Sequence, residues 1–554
     1  MQKNSKEYLA ELAQRDLSQE LNCVNALQRT AWRINENVVK VIRTVWDSGQ
    51  EWAGLPPRDD LDLPAYPFGD TELSDLPPER KPEVIEFLNK RTAIHKFNGK
   101  SRSKRIQIER TIQIAEDYVK YDEFYFVWQL DFRGRKYPVE SFMSPQVADW
   151  GKATIEFAEG MRIGSPENAK WLAIHGANTF GNDKVSLDDR ELWAYLHKED
   201  VIKTVEDPYN YLWWTEADKP FQFLAWVYEW YGYIQEGEDF VTHLPCAADG
   251  SCNGLQHLLS IMRDEEGGKS VNLTDSDLPA DIYRDVAEAT TIRVQKDADA
   301  GNEMAKKCLE FGITRKLTKR AVMIVPYSGT QHSCRAYVEE AIEEQVAKGA
   351  ANPFGDEYFR ASLYLTAHIW SAISDVIGTA RQVMDYVKDL GVLYAQENKP
   401  LEWVTPTNLL VRQVYNDFKK RRITTLIDGS IIKLNWRKNI DDTVSKGKTR
   451  SGASPNFVHS LDASALTMTV NKCIDAGIQD FAMVHDSYGT HSPNMQRMSE
   501  LLREAFVEMY QENDVLNQLY TLAKQNLDTM DIPEPPKAGD LDMSKVLKSK
   551  YFFA

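Results

Sequence analysis

The spacing of apolar residues predicts a chain that is mostly helical. Apolar residues recur three and four positions apart, the period of a helix with one buried face, in four segments. These predicted helical segments are residues 5–48, 83–120, 166–236 and most of 280–385. Each is long enough for one or more helices of ordinary length.

The remaining segments carry extended or turn patterns. The apolar alternation shortens towards strands within residues 124–165, and residues 53–82 are rich in Pro, Asp and Gly, which is typical of a loop. Two β-rich runs over residues 410–436 flank Asp428-Gly429, a pair that favours the tight turn of a hairpin. The expected fold class is therefore α+β.

Length and composition indicate a multi-part globular protein. The 554 residues exceed what one hydrophobic core accommodates, so we expect roughly two to four packed subdomains. No apolar run reaches the roughly 18 residues of a membrane span, and the first residues resemble neither a signal nor a transit peptide. The six cysteines are scattered without a CxxC pair, which argues against zinc and disulfides and favours a cytoplasmic location.

Charge gives two opposing indications about nucleic acid. The net charge of −17 argues against binding a polyanion. Residues 90–110, however, hold eight Lys and Arg against one acid, and residues 412–450 hold eleven against four Asp. Because binding depends on the local field, either stretch is a nucleic-acid contact or a solvated surface.

Two aspartates stand in similar local settings. Asp249 follows an apolar run and precedes Gly250, and Asp486 follows Phe481-Ala-Met-Val-His485. A strand that ends in a carboxylate places it at a sheet edge, where two such groups could share two Mg²⁺ ions and act on phosphoryl groups. Either aspartate alone could equally cap a turn.

A predicted helix carries a cationic face. Arg315, Lys319, Met323 and Tyr327 follow one another at four-residue intervals and therefore lie on one face. The two cations suit the phosphates of a nucleotide, and Tyr327 could stack on a base or contact a sugar. An amphipathic surface helix with a buried methionine is the alternative.

The segment Asp131-Phe-Arg133-Gly134-Arg135 supplies a third candidate. Gly134 allows a turn, and the two arginines suit the phosphates of a template or product strand. A structural turn with an internal salt bridge explains the same residues.

Five motifs in order resemble one family. They are Asp131-Phe-Arg-Gly-Arg, Asp249-Gly-Ser-Cys-Asn-Gly-Leu-Gln-His, Arg315-x3-Lys319-x7-Tyr327, Pro455-Asn-Phe-Val-His459-Ser and His485-Asp486-Ser487. This set resembles the single-subunit DNA-dependent RNA polymerases of bacteriophages and, more distantly, of mitochondria. The resemblance runs from about residue 25 to Tyr551-Phe-Phe-Ala554.

The resemblance implies a right-hand polymerase fold with thumb, palm and fingers and a small antiparallel palm sheet. The implied segments are 1–50 as a remnant of an amino-terminal domain, 51–120 as thumb, 121–165 as the first palm segment, 166–236 as a helical palm insertion, 237–265 as the second palm segment, 266–459 as fingers with a specificity hairpin at 411–438, and 460–554 as the third palm segment with a carboxyl-terminal foot.

The resemblance also implies residue roles. Asp249, Asp486 and the Gly250 backbone would bind two Mg²⁺ ions, and Lys319, Tyr327 and His485 would complete the catalytic group. Arg315, Arg320, Tyr283 and His459 would bind substrate, with Tyr327 and His459 favouring ribose. The implied nucleic-acid contacts are Arg133, Arg135, Arg412, Gln413, Lys419, Arg421 and Arg422. The implied partners are double-stranded DNA, RNA product and rNTPs.

Two departures from the family pattern stand out. The family usually has Gly after Tyr327, where this chain has Ser328 and then Gly329. Phage members also carry a further amino-terminal promoter-binding domain. We therefore expect a core that opens duplex promoters poorly unless a separate chain supplies that part; a fragmentary gene model explains the missing domain equally well. The resemblance also implies a monomeric core in the cytoplasm of an infected bacterium.

Two other functions remain as alternatives. A family A DNA polymerase shares the cationic helix and the paired aspartates, but it typically has Glu where this chain has Ser487 and an aromatic residue where this chain has Met323. His459 and the basic hairpin also favour the RNA enzymes. An inactive nucleic-acid-binding relic would not need Asp249, Asp486 and Lys319 together.

Overall fold

The structure is a computed structural model that describes residues 6–69, 71–355, 357–427 and 430–554. Its helices are α1 Lys6–Leu12, α2 Ser18–Arg29, α3 Glu36–Ser48, α4 Lys81–Tyr118, α5 Asp149–Ala153, α6 Pro166–Phe180, α7 Leu187–Leu196, α8 Lys198–Glu206, α9 Pro220–Glu236, α10 Asn253–Ile261, α11 Glu265–Lys269, α12 Ile282–Asp299, α13 Glu303–Phe311, α14 Arg315–Met323, α15 Gln331–Ala347, α16 Tyr358–Val376, α17 Gly378–Gln396, α18 Lys446–Asp475, α19 Ser492–Glu512 and α20 Val515–Asn526. Within these ranges, no helix has the length and apolar character needed to cross a membrane.

The strands are β1 Trp32–Ile34, β2 Trp128–Leu130, β3 Lys136–Pro138, β4 Ile155–Phe157, β5 Met161–Arg162, β6 Val241–Thr242, β7 Cys246–Asp249, β8 Leu401–Val404, β9 Leu410–Gln413, β10 Asn416–Ile427, β11 Ser430–Val444, β12 Ala482–Val484 and β13 Ser487–Thr490. All of these strands pair antiparallel, and all except β10 and β11 are only two to four residues long. Mostly helical structure with small antiparallel sheets confirms the predicted α+β class.

One predicted helical segment is interrupted. Residues 5–48 contain β1, which pairs with β4 in the register Trp32↔Phe157 and Ile34↔Ile155. Helix α3 restarts after it because the Asn35 side chain accepts a hydrogen bond from the Val38 N–H, and it ends at Gly49 with φ +73°. The apolar spacing alone could not show this break, since a three-residue strand hardly changes the helical pattern.

Three strands form the sheet that matters for function. Their order is β12-β13-β7, with β13 in the middle and both neighbours antiparallel to it. Gly489 in the middle strand leaves no room for a side chain, because an added Cβ would lie 2.9 Å from the Ala482 carbonyl oxygen. The strands therefore pack closely and fix the residues at their ends.

Helices α6 and α19 pack against this sheet, and helix α18 connects α19 to other helices of the fold. Helix α18 contacts α2, α10, α17 and α19, and most of its second half is buried. A buried ion pair ties α2 to this region, since Lys136 Nζ lies 2.7 Å from Glu20 Oε2 and also contacts Thr467 of α18. A charge this deeply buried is stable only with such partners.

The long hairpin formed by β10 and β11 differs from its predicted bounds. The prediction placed it at 411–438, whereas the paired strands run from Asn416 to Val444. Residues 410–413 form a separate strand, β9, which pairs with β8. The predicted turn, Asp428-Gly429, lies outside the described residues.

A buried carboxyl group gives the fold a testable pH dependence. Burial, and then the nearby Glu156 charge, raise the pKa of Glu229 to about 7 from 4.5, although Thr242 Oγ1 donates a hydrogen bond to it at 2.6 Å. A raised carboxyl pKa means that the folded protein binds this proton more tightly than the unfolded chain. Stability from this group therefore falls as the pH rises from about 4.5 to about 7.

We predict that Glu229→Gln removes this component. Between pH 5 and pH 8 the wild type should lose up to about 3 kcal/mol of unfolding free energy relative to the variant. Urea unfolding of both proteins at the two pH values measures the difference. An identical pH dependence in both proteins would contradict the assignment to Glu229.

Candidate active site

The sheet brings the two predicted aspartates to one edge. Ser487 of β13 lies directly opposite Asp249 of β7, and Asp486 is the residue before Ser487. The Gly250 N–H donates to the Asp486 carbonyl oxygen at 3.1 Å, which fixes the two segments to each other. Two residues that are 237 positions apart in sequence are thus neighbours in space.

Asp486 occupies a tight turn between β12 and β13. His485 precedes it with φ +51°, a left-handed backbone that is unusual for a residue with a side chain. The His485 ring packs edge-on against Tyr137 with 4.7 Å between ring centroids. Burial, and then Arg135, lower the pKa of His485 to about 4, so this side chain is a neutral support for the turn at pH 7.

The electrostatic environments of the two aspartates differ. Burial, and then the charges of Asp462 and Asp249, raise the pKa of Asp486 to about 6. Burial would also raise the pKa of Asp249, but Lys219 and a hydrogen bond from Ser487 hold it below its usual value. Asp486 therefore lies in a more negative environment than Asp249, and it forms no ion pair within the described ranges.

The donor set fits divalent metal ions of the magnesium type. Mg²⁺ is usually held by one or two carboxylates together with substrate phosphates and water, rather than by a complete protein cage. Two carboxylates at one sheet edge meet that description, and excess negative charge favours a divalent cation. The Gly250 carbonyl oxygen accepts from Cys252 N–H at 3.0 Å, which leaves it one further acceptor position. No group of three or more candidate ligand side chains was found in the described ranges.

A cavity of about 540 Å³ connects the aspartates to the cationic helix. Its walls include Asp249, Asp486, Arg315, Lys319 and Tyr327. This volume suits a nucleotide-sized ligand. The predicted face of α14 does point into the cavity, because residues four positions apart share one side of a helix.

The first cation of helix α14, Arg315, has an acidic and an aromatic partner. Arg315 Nε donates to Asp281 Oδ2 at 2.5 Å, and the guanidinium lies 5.3 Å from the centre of the Tyr283 ring. Burial, and then the Arg315 charge, lower the pKa of Lys319, which is the direction expected of a cation crowded by another cation. An anionic ligand would relieve that crowding.

Tyr327 lines the cavity, and His459 packs against it from outside the cavity wall. Their ring centroids are 4.9 Å apart. Arg133 Nη1 lies 2.7 Å from His459 Nδ1, and an arginine can only donate, so Nδ1 accepts and the proton of neutral His459 sits on Nε2. A Cβ at Gly254 would lie 3.3 Å from the Tyr327 hydroxyl, so the glycine of the Asp249 motif permits this close approach.

Residues 162–530 match the model of the family described as DNA-dependent RNA polymerase. The chain belongs to this family. The family resemblance inferred from the five motifs is therefore confirmed.

Relatives of the single-subunit type include organellar and phage enzymes. The chain is 33% identical to the mitochondrial DNA-directed RNA polymerase 1B of Nicotiana tabacum, over all of this chain and 54% of that protein. It is 32% identical to the DNA-directed RNA polymerase of Enterobacteria phage T3, over 96% of this chain and 64% of the phage protein. For the Enterobacteria phage K11 polymerase the identity is 30%, over all of this chain and 64% of that protein. The chain thus spans about half to two thirds of the length of these polymerases.

Some residues predicted to bind ligands lie elsewhere. Arg320 is absent from the cavity wall and pairs with Glu340 and Glu344 of α15, each at 3.0 Å. The reason is its position one residue after Lys319, about 100° around the helix. The geometry therefore does not support Arg320 as a substrate ligand.

Two residues that were predicted to read DNA bases instead make contacts within the protein. Gln413 is fully buried, where it donates to the Thr449 carbonyl at 2.9 Å and accepts from Asn456 Nδ2 at 2.7 Å. Arg412 pairs with Glu402 and with Glu11, the latter at 2.7 Å. Both belong to β9 rather than to the long hairpin, so the prediction that they read bases is corrected. Lys419, Arg421 and Arg422 are on β10 and are exposed.

Ser328 adopts a conformation that favours glycine. Its φ is +61°, and its hydroxyl is buried with no hydrogen-bond partner among the residues that the structure describes. The backbone nevertheless closes normally, because Gly329 N–H donates to the Ile324 carbonyl at 2.8 Å. Ser328 therefore occupies this position with local backbone strain.

A buried carboxylate that the sequence analysis missed connects three motifs. Arg135 donates to Asp462 Oδ2 through Nε at 2.9 Å and Nη2 at 2.5 Å, while Asn253 Nδ2 donates to Oδ1 at 2.7 Å. Burial opposes the charge, but Arg135 and then His257 hold the pKa of Asp462 below its usual value. The sequence did contain a signal for this residue, because Asp462 is a single acidic residue in the apolar run after His459. An acidic residue in such a run is usually buried with a partner.

Two lysines near Asp249 were also missed. Lys219 Nζ lies 3.6 Å from Asp249 Oδ2, and both Lys219 and Lys152 line the cavity. Neither residue belongs to a recognisable motif. Their approach to Asp249 arises from the packing of α5 and α9, which local sequence does not encode.

We predict that Asp462→Asn destabilises the protein by roughly 3–5 kcal/mol, because it leaves the Arg135 guanidinium buried without its counter-charge. Asp475→Asn is the matched control, since it removes an exposed carboxylate from the same helix. Chemical unfolding of the three proteins measures the loss. Equal stability of the two variants would show that the Arg135 pair contributes nothing.

Proposed function

We propose that this chain is a DNA-directed RNA polymerase (EC 2.7.7.6) that adds nucleotides from rNTPs to an RNA 3′ end. The single observation that supports this most strongly is the meeting of Asp249 and Asp486 at one sheet edge, across one cavity from Arg315 and Lys319. Nucleotidyl transfer needs carboxylates for metals and cations for a triphosphate at one place. Family membership identifies the template and product as DNA and RNA.

The chemistry follows from the charges in the cavity. Two Mg²⁺ ions, when bound, would lower the pKa of the attacking 3′-hydroxyl and neutralise the triphosphate. Asp249 and Asp486 would hold them, with the Gly250 carbonyl as a further ligand. Arg315 and Lys319 would bind the triphosphate, and Lys319 is placed to supply a proton or a charge to the departing pyrophosphate.

Sugar and base selection would belong to the other end of the cavity. Tyr327 closes it, and the neighbouring His459 ring is held by Arg133 in one tautomer. A fixed donor on Nε2 suits recognition of a hydroxyl group, such as the ribose 2′-hydroxyl. Tyr283, under the Arg315 guanidinium, would keep that cation aimed at the phosphates.

The arms of a right-hand polymerase can be assigned to segments of the fold. The β12-β13-β7 sheet would be the palm, α4 the thumb and α12 to α17 the fingers, with α6 to α9 as a palm insertion. Arg133 and Arg135 are largely buried and paired with Asp131 and Asp462, which supports a role in steadying the site rather than in reaching the nucleic acid.

Promoter recognition would fall to the β10–β11 hairpin. Paired residues on an antiparallel ladder share a face, so Lys420 and Arg422 lie with Arg437 and Asn435 on one side of it. A two-stranded ribbon fits the major groove, where Arg and Lys read guanine edges and phosphates. Lys419 and Arg421 lie on the other face, so the two sides would contact different parts of the duplex.

Partners and location beyond the template and nucleotides remain predictions. We propose a monomeric core, which the resemblance implies. The relatives are phage and organellar enzymes alike, so the cytoplasm of an infected bacterium is the location we propose from the phage resemblance.

Nucleotide choice separates the proposed activity from its alternatives. On a primed single-stranded DNA template, the protein should extend an RNA primer with rNTPs and use dNTPs poorly. Preference for dNTPs would indicate a DNA polymerase. Template binding without extension by either would indicate a nucleic-acid-binding relic.

We predict that Asp486→Asn lowers RNA synthesis roughly a hundredfold or more, because it removes a carboxylate that would hold the metal ions, which stabilise the negative charge of the transition state. Template binding, measured by fluorescence anisotropy, should stay close to that of the wild type. Asp475→Asn should retain full synthesis. Comparable activity of the two variants would rule out Asp486 as a metal ligand.

A further inference from the structure

We propose that Lys219 is a tethered counter-cation of Asp249 that competes with divalent metal for this carboxylate and so sets the metal concentration the enzyme needs. The inference rests on the proposed function of Asp249 as a metal ligand. Lys219 comes from the 166–236 segment, far in sequence from the cationic helix α14.

The lysine is placed by a rigid backbone. Its N–H donates to the Thr179 carbonyl at 3.0 Å, and its own carbonyl accepts from the Phe223 N–H at 2.8 Å. Asp149 accepts from the next two N–H groups of α9, at Phe221 and Gln222. The side chain therefore projects from a fixed point at the junction of α6 and α9.

The Lys219 ammonium group lies beside the Asp249 carboxylate, which would have to be free to bind a metal ion. Lys219 Nζ is 3.6 Å from Asp249 Oδ2, while the two side chains are 46% and 57% exposed to the cavity. An Asp249 oxygen that contacts an ammonium group cannot also present its full charge to a metal ion. Because the pair is open to solvent, the lysine can swing away when a divalent ion arrives.

The pairing is selective for one of the two aspartates. Within the part of the chain that the structure describes, Asp486 forms no ion pair, and Lys219 is the cation paired with Asp249. Other charges that face this end of the cavity are Lys152, Lys184, Asp183 and Asp218, with Asp149 and His175 behind them. Lys184 is paired with Asp183 at 2.8 Å, so it does not substitute for Lys219.

A direct consequence is an unequal metal site. A metal ion at Asp249 must displace a paired ammonium group, whereas among the described residues Asp486 has no ion-pair partner to displace. Removal of the lysine should therefore tighten metal binding even without nucleotide. Loss of a partly exposed ion pair changes affinities by a modest factor, so the expected gain is roughly two- to five-fold.

The test is Mn²⁺ binding to the nucleotide-free full chain, followed by electron paramagnetic resonance. Lys219→Ser should bind Mn²⁺ roughly two- to five-fold more tightly than the wild type. Lys219→Arg keeps the charge and should stay close to the wild type. Lys198→Ser removes one exposed positive charge from α8, outside the cavity wall, and should leave the affinity unchanged.

Two results would overturn the proposal. One is an unchanged or weaker Mn²⁺ affinity in Lys219→Ser, with circular dichroism confirming that the variant is folded. The other is an equal gain in Lys198→Ser, which would reflect net charge rather than a contact with Asp249.

The Asp249→Asn variant separates this inference from the proposed function. If it binds Mn²⁺ as well as the wild type, Asp249 is not a metal ligand and the proposed site itself fails. If Asp249→Asn weakens binding, Lys219→Ser should have no further effect in that background, because the two residues act on one another.

Discussion

Antiparallel pairing of β7 with β13 places two carboxylates side by side, and the rest of the site responds to that constraint. Like charges at a shared edge repel, and burial makes the repulsion stronger. Burial first, then the charge of Asp462 and then that of Asp249, raise the pKa of Asp486 to about 6. Arg315 and Lys319 on one wall and Lys219 on another surround the same negative centre, so the cavity is arranged to accept bound cations and polyphosphate together.

The residues that hold this arrangement in place are linked to one another by buried polar contacts. Asp462 links the Arg135 motif to Asn253, the fourth residue after Asp249, and Arg133 links Asp131 to His459. Buried networks of this kind are stable only when every member has a partner. Hydrogen bonds therefore join the Asp131, Asp249 and His459 motifs, and the packing of Tyr327 on His459 brings the cationic-helix motif against them.

The departures from the sequence predictions have local physical causes. Arg320 was grouped with Lys319 because of its charge, but adjacent helix residues face different directions, and it pairs with glutamates of α15. Gln413 was assigned to the hairpin because the apolar alternation continues into it, whereas the bulge between Asn416 and Phe418 marks where the hairpin begins. The residue types were predicted correctly. The direction in which Arg320 points and the strand to which Gln413 belongs were not, because both depend on packing.

The sequence by itself determined the helical character of the chain, the order of its motifs and the chemical types at the site. Those properties depend on near neighbours, namely the period of apolar residues, the flexibility of Gly134 and the spacing of Arg315, Lys319 and Tyr327. The tertiary structure alone decided that Asp249 and Asp486 meet, that Asp462 is buried between them and Arg135, and that Lys219 reaches Asp249. These contacts join residues hundreds of positions apart, and their geometry is set by how strands pair and helices pack, which no local pattern encodes.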